Sequence, residues 1–182
     1  MKRVLLALML VLLAPAVKGE VDSTLKTIDA VLKIDDPDKL VYAIMKAENP
    51  QSNPYKIGDT ALYYKAHGLL QIRQPYLDDV NRIVGKKIMT KMWGKPKLTL
   101  SDIKQDVNKA IWAMKIYLVH YGKQYERETG KKVTAQIYAR IHNGGPQGYK
   151  KWATKEYWAK VQSNIKSYVA YNEYYIAKRF NI

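Results

Sequence analysis

Glu48 and Asp59 are the residues of this chain whose type and spacing suit covalent chemistry most directly. Cleavage of a glycosidic bond takes a carboxylic acid that protonates the leaving oxygen and a second carboxylate that acts as nucleophile or base. A proton donor working near neutral pH needs a raised pKa, and burial among apolar groups raises it by disfavouring the charged form. Glu48 has that setting: Val41, Ile44 and Met45 share a helical face with it, and a loop rich in Asn, Pro, Ser and Gly opens immediately after it. Periodicity alone also fits an ordinary exposed glutamate at a helix end. Asp59 lies eleven positions on, in the segment expected to form the opposite wall, and a loop of that length permits many separations. Asp78 and Asp79 are rivals for the second carboxylate, read instead as charges at a helix N-terminus.

Other catalytic chemistries find little support. The three histidines, His67, His120 and His142, share no short metal-ligand spacing, so neither a metal nor another cofactor is expected. The chain lacks cysteine, Gly-x-Ser-x-Gly and phosphate-loop signatures, which excludes a thiol nucleophile and leaves no marked serine. His142, just before a glycine pair, is the histidine best placed to touch a ligand. Fifteen tyrosines and four tryptophans stand against one phenylalanine. Such rings join an apolar face to a polar edge, which suits a wet groove that stacks sugars. Most must serve helix contacts; Tyr76 and Tyr149, beside proline- or glycine-bearing turns, are the first choices for the cleft.

The elements that must position these groups read as helices. Leu25, Ile28, Val31 and Leu32 recur at helical spacing before Asp35-Asp36-Pro37, which starts a second helix running to Glu48. Pro75 opens a short helix to about Val84, and a basic loop is expected from Gly85 to Lys97. Ser101 and Asp102 start a long helix to about Glu126. Thr134 starts another, ended by Asn143-Gly144-Gly145-Pro146, and a last helix runs from about Thr154 to Lys178. The expected class is mainly α (α+β), with an irregular or hairpin segment between Tyr55 and Ile72 forming one wall of a cleft.

Composition bounds the setting. Lys2 and Arg3, the apolar run Val4–Leu13 and Ala14-Pro15-Ala16 have the order of a secretory signal peptide covering residues 1–16. That run is shorter than the roughly 20 residues that span a bilayer, so no stable membrane anchor is expected. Residues 17–182 then suit a single domain, secreted and held by packing alone. A net charge of +15 attracts polyanions. For an exported chain an anionic cell surface is the expected partner, not nucleic acid, although scattered basic residues also serve solubility.

The stretch 139–148, ARIHNGGPQG, with Ala153-Thr154 and Tyr157-Trp158-Ala159-Lys160-Val161, resembles the C-terminal signature of the invertebrate-type (destabilase) lysozymes. Gly68-Leu69-Leu70-Gln71-Ile72 with Gln74-Pro75-Tyr76 is similar to the segment beside that family's active site, a pattern shared with goose-type lysozymes and lytic transglycosylases. The resemblance covers roughly residues 40–162. It implies the lysozyme-superfamily fold and a secreted muramidase that hydrolyses the β-1,4 bond between N-acetylmuramic acid and N-acetylglucosamine in bacterial peptidoglycan. It matches the family's acid to Glu48 and its second carboxylate to Asp59, and it places Gln71, Tyr76, His142, Asn143 and Gly144 in the sugar-binding cleft. The chain departs from the family in lacking cysteine and in carrying Thr60-Ala61-Leu62-Tyr63-Tyr64 where the family has small residues. Two alternatives stand beside this reading: a lytic transglycosylase using Glu48 alone, and a non-catalytic cationic wall-binding protein.

Overall fold

A helical stretch that is apolar nearly all round belongs inside a protein, and the middle of Val107–Thr129 is one: Ala110, Trp112, Ala113, Met114, Ile116, Tyr117, Leu118 and Val119 are all buried, while the charged residues gather toward its ends. A computed structural model describes residues 36–53 and 55–180, with side chains as far as residue 168. The expected signal segment and the helix expected around Leu25–Leu32 lie outside the described residues. In chain order the elements are α1 (Pro37–Glu48), β1 (Ile57–Gly58), β2 (Ala66–His67), α2 (Gln74–Val84), α3 (Lys86–Trp93), α4 (Leu100–Gln105), α5 (Val107–Thr129), α6 (Ala135–Gly144), a 3-10 turn (Gly148–Lys150) and α7 (Thr154–Phe180). The fold is mainly α, and α2, α4 and α6 pack around the central α5.

Local chemistry explains most boundaries. Asp36 caps α1 by accepting from the Lys39 N–H at 2.9 Å, with Pro37 at the first helical position. The buried face of α1, Leu40, Val41, Ala43 and Ile44, packs against α7, where the Asn164 amide donates to the Ala43 carbonyl at 3.1 Å. At the other end of the core, Lys115 on α5 is buried and meets Asp38 of α1 at 3.2 Å. The segment between Tyr55 and Ile72 forms the expected hairpin. Its antiparallel register sets Ile57 opposite His67 and Gly58 opposite Ala66, and a bridge from His67 to Ile72 carries the chain on to α2.

Three expectations need correction. Residues 85–97 are not a basic loop, because Lys86–Trp93 is helical. Gly85 and Gly94 punctuate it at φ 82° and 68°, and Met89 is buried while Ile88, Met92 and Trp93 pack on the core. The helix expected from Ser101 to Glu126 is two helices. Thr99 and Asp102 form a capping box for α4, and Asp106 then caps α5 through the Asn108 and Lys109 N–H groups. The break lies at Asp106, and Val107 just after it is 38% exposed. Asp78 and Asp79 are not N-terminal helix charges either, since α2 starts at Gln74 and has no acid in its first turn. Among the described residues no helix is long and apolar enough to cross a membrane.

The turn after α6 is clipped to α7 by a buried polar knot. The Arg140 guanidinium donates to Thr154 Oγ1 at 2.9 Å and to the Lys151 carbonyl at 3.0 Å, and the Thr154 hydroxyl is 2.7 Å from the Gly148 carbonyl. Gly148 is close against α6: a Cβ there would stand 1.9 Å from the Arg140 carbonyl oxygen. Gly148→Ala should therefore lower stability in urea unfolding by about 1–3 kcal/mol, the usual cost of overpacking; an unchanged midpoint would show that the turn is not clamped in this way.

Candidate active site

Glu48 is the last residue of α1, and its carboxyl group looks into a cleft of about 660 Å³ between the hairpin and the α6–α7 turn. Its side chain is only 17% exposed. Burial raises its pKa, and this outweighs the opposing pull of the Tyr157 hydroxyl, the Lys56 ammonium and the Asn143 amide, with the Asp59 charge adding slightly to the rise. The end of a helix is also the negative end of its dipole, which further disfavours a carboxylate. Lys56 donates to the backbone carbonyl of Glu48 at 2.6 Å and so ties the hairpin to the end of α1.

The seven residues that the resemblance gathered, Glu48, Asp59, Gln71, Tyr76, His142, Asn143 and Gly144, line this one cleft. Asp59 sits on the facing wall with φ 53°, a left-handed conformation stabilised by the turn bond from the Leu62 N–H to its carbonyl at 2.8 Å. Its half-exposed carboxylate is paired with Arg73. Gln71, at φ 47°, directs its amide N–H2 to the carbonyls of Gly68 at 2.7 Å and Lys56 at 3.4 Å. Its amide oxygen occupies the space a Cβ on Gly58 would need, at 2.1 Å. In this arrangement Gln71 braces the hairpin as well as lining the cleft. Gly144 has a similar steric reason, because a Cβ there would meet Thr154 Cγ2 at 2.6 Å.

His142 is buried beneath Glu48. One ring nitrogen, Nε2, is 3.2 Å from the Leu70 carbonyl, and the other, Nδ1, is 3.3 Å from the Tyr76 hydroxyl. A carbonyl only accepts, so Nε2 carries the proton and Nδ1 accepts from the tyrosine. Burial, with the Leu70 bond opposing, pushes the pKa of His142 down to about 4. The 3.8 Å separation between His142 Nε2 and Glu48 Oε1 is therefore not an ion pair at neutral pH. Tyr76 is fixed from its far side by stacking on Tyr117, with ring centroids 3.6 Å apart.

The 55% of the chain that aligns with the lysozyme of Magallana gigas, 100 residues, is 30% identical and spans 61% of that relative. A shorter stretch of 43 residues is 42% identical to lysozyme 1 of Crassostrea virginica, covering 24% of this chain and 23% of the relative. The chain thus spans less than two thirds of either curated relative. The crystal structure of Tapes japonica lysozyme superposes with a TM-score of 0.50 over 68% of this chain and 86% of that one, at 24% identity. Over these stretches the chain is similar to lysozymes. Its mainly α fold is likewise lysozyme-like. No family model matches the sequence.

Against that lysozyme background, several residues in or near the cleft were not singled out by the sequence. Tyr157, on α7, is buried; its hydroxyl acts on the Glu48 carboxyl electrostatically and has no hydrogen-bond partner of ordinary geometry. It falls inside the quoted C-terminal signature, where it reads as one more helix aromatic. Lys56 and Arg73 are two basic residues among 31, and only the folded hairpin gives them acidic neighbours. Of the two rival carboxylates, Asp79 also lines the cleft, accepting from the Tyr121 hydroxyl at 2.6 Å and pairing with Arg82. Tyr149, expected at the cleft, is placed elsewhere: its ring packs edge-on to Tyr125 and its hydroxyl donates to Glu128 at 2.5 Å. Tyr64 and Tyr117 line the cleft instead.

The neutrality of His142 has a measurable sign. Its folded pKa lies below its ordinary 6.5, so the stability tied to its burial is complete above that value and is lost as pH falls toward 4. Over that window the effect is about 3 kcal/mol. Nitrogen-15 spectra of the imidazoles should show His142 as the Nε2-protonated neutral tautomer down to about pH 4; titration near its ordinary value, or the opposite tautomer, would contradict the bonding described.

Proposed function

We propose that this chain is a secreted lysozyme, a glycoside hydrolase acting on the β-1,4 bond between N-acetylmuramic acid and N-acetylglucosamine in bacterial peptidoglycan. The observation that carries this reading is the Glu48 carboxyl, buried at a helix end, raised in pKa and open to a cleft. In that setting it holds its proton more firmly than an ordinary glutamate and can deliver it to the glycosidic oxygen as the bond to the anomeric carbon breaks. Positive charge then develops on the ring, and Asp59, on the opposite wall, stabilises or captures it. Tyr76, Asn143 and Gly144 would bound the sugar beside Glu48, with His142 and Gln71 holding the walls that they line. The signal-like segment 1–16 supports export, and the net charge of +15, or +13 without the Lys2 and Arg3 of that segment, favours accumulation on the anionic bacterial surface.

One observation favours a second reading. Asp59 is already paired with Arg73, and a carboxylate so engaged is less free to attack the anomeric carbon. If it takes no part, Glu48 acts first as acid and then as base while the muramyl 6-hydroxyl closes on the carbon, which is the lytic transglycosylase route.

The purified protein, Glu48→Gln and Asp59→Asn should be incubated with insoluble peptidoglycan, following turbidity and identifying product ends by mass spectrometry. Glu48→Gln should clear the suspension at least about 100-fold more slowly than the parent. A comparable loss in Asp59→Asn with new reducing ends supports the hydrolase; near-parental clearing by Asp59→Asn with 1,6-anhydro ends supports the transglycosylase. No clearing by the parent would leave a cationic wall-binding protein, and equal clearing by Glu48→Gln would remove Glu48 from the chemistry.

A further inference from the structure

The apolar groups that remain exposed are concentrated on the hairpin. Among the described residues, the large hydrophobic side chains most open to solvent include Tyr55, Ile57, Leu62, Tyr63 and Tyr64, all within ten positions of one another. Tyr63 is 91% exposed and Tyr64 48%. Scattered apolar residues on a surface need no explanation, but exposed rings in mutual contact at the edge of a cleft mark a candidate binding face. Tyr64 also lines the cleft that holds Glu48 and Asp59, so the Tyr63–Tyr64 pair adjoins the candidate site.

The turn that leads into these rings is held. It is the turn closed by the Leu62 N–H on the Asp59 carbonyl, and the Asp59 carboxylate is anchored to Arg73. Tyr63 and Tyr64 touch edge to face, their centroids 4.8 Å apart and their planes at 84°. Each ring braces the other, so less freedom is lost when a ligand lands on them. We propose that Tyr63 and Tyr64 form an outer platform that stacks further sugar rings of a glycan strand whose scissile bond lies at Glu48. This rests on the reading of the cleft as a glycan site. It extends that reading by making the enzyme selective for long strands.

Sugar is the occupant that the chemistry favours. A pyranose offers one face of C–H groups rimmed by hydroxyls, which matches a tyrosine ring and its phenol. The platform leads directly into a cleft lined by Lys56, Asp59, Arg73 and Asn143, a polar surface that accepts hydroxyl and amide groups and gives nothing to a lipid tail.

The test measures binding without turnover. In the Glu48→Gln background, calorimetry with the β-1,4-linked trimer and hexamer of N-acetylglucosamine gives the affinity gained by length. The hexamer should bind more tightly than the trimer, and Tyr63→Ala with Tyr64→Ala should reduce that ratio about tenfold, a change of about 1.4 kcal/mol. The corresponding double Phe variant should keep the ratio, because the ring faces remain. A ratio unchanged by the Ala pair, with the hexamer still favoured, would overturn the platform and leave the glycan site standing. Affinity for neither oligomer in the Glu48→Gln protein would overturn the glycan reading itself. Loss of binding to phosphatidylglycerol vesicles in the Ala pair, with the oligomer ratio intact, would reassign the patch to a membrane surface.

Discussion

A carboxyl group held at the C-terminal end of a buried helix is the constraint around which the rest of this structure is arranged. Desolvation and the helix dipole both act against its charged form, while Lys56, Asn143 and Tyr157 act for it. The balance depends on His142 remaining neutral, because a cation 3.8 Å away would hold Glu48 ionised. The fold secures that neutrality by giving both imidazole nitrogens partners, a carbonyl that fixes the proton on Nε2 and a tyrosine that donates to Nδ1. Tyr76 in turn is held by its stack on Tyr117 of the central helix. The electrostatics of the candidate acid are thus transmitted to the core by a short chain of contacts.

The facing wall is built differently. The hairpin is small, with two residues in each strand, and such a unit has little stability of its own. Its support comes from outside the ladder: Lys56 to the end of α1, Gln71 to two hairpin carbonyls, and Arg73 to Asp59. The last pair is half exposed, so its contribution to stability is about 1 kcal/mol or less. Its role is to orient the turn bearing Asp59. A chain without cysteine has no covalent staple for this wall, and polar bracing takes that place.

Much of this was legible from the residues. Asp36-Pro37 and Thr134 marked helix starts, the apolar face of α1 pointed to Glu48, and the resemblance gathered positions from residue 48 to residue 144 that do line one cleft. What escaped depended on contacts distant in sequence or on competing local signals. The lysines of 86–97 masked an amphipathic helix whose apolar side is Ile88, Met89, Met92 and Trp93. Asp106 was lost within an apparent continuous period, although its side chain caps α5. Tyr157 carries no local sign of its function, since only the docking of α7 beside α1 brings its hydroxyl to Glu48. Tyr149 misled for the converse reason: a glycine-rich neighbourhood exposes it, but Glu128 holds it outside the cleft.

The central claim concerns the charge state of one carboxyl group, and carbon-13 titration of the glutamate side chains measures it directly. With Glu48 assigned by its absence in Glu48→Gln, the account predicts a carboxyl that loses its proton distinctly above the ordinary glutamate value of 4.5. A Glu48 titration at or below that value would show that burial does not govern the group, and the proposed proton donor would already be spent at neutral pH.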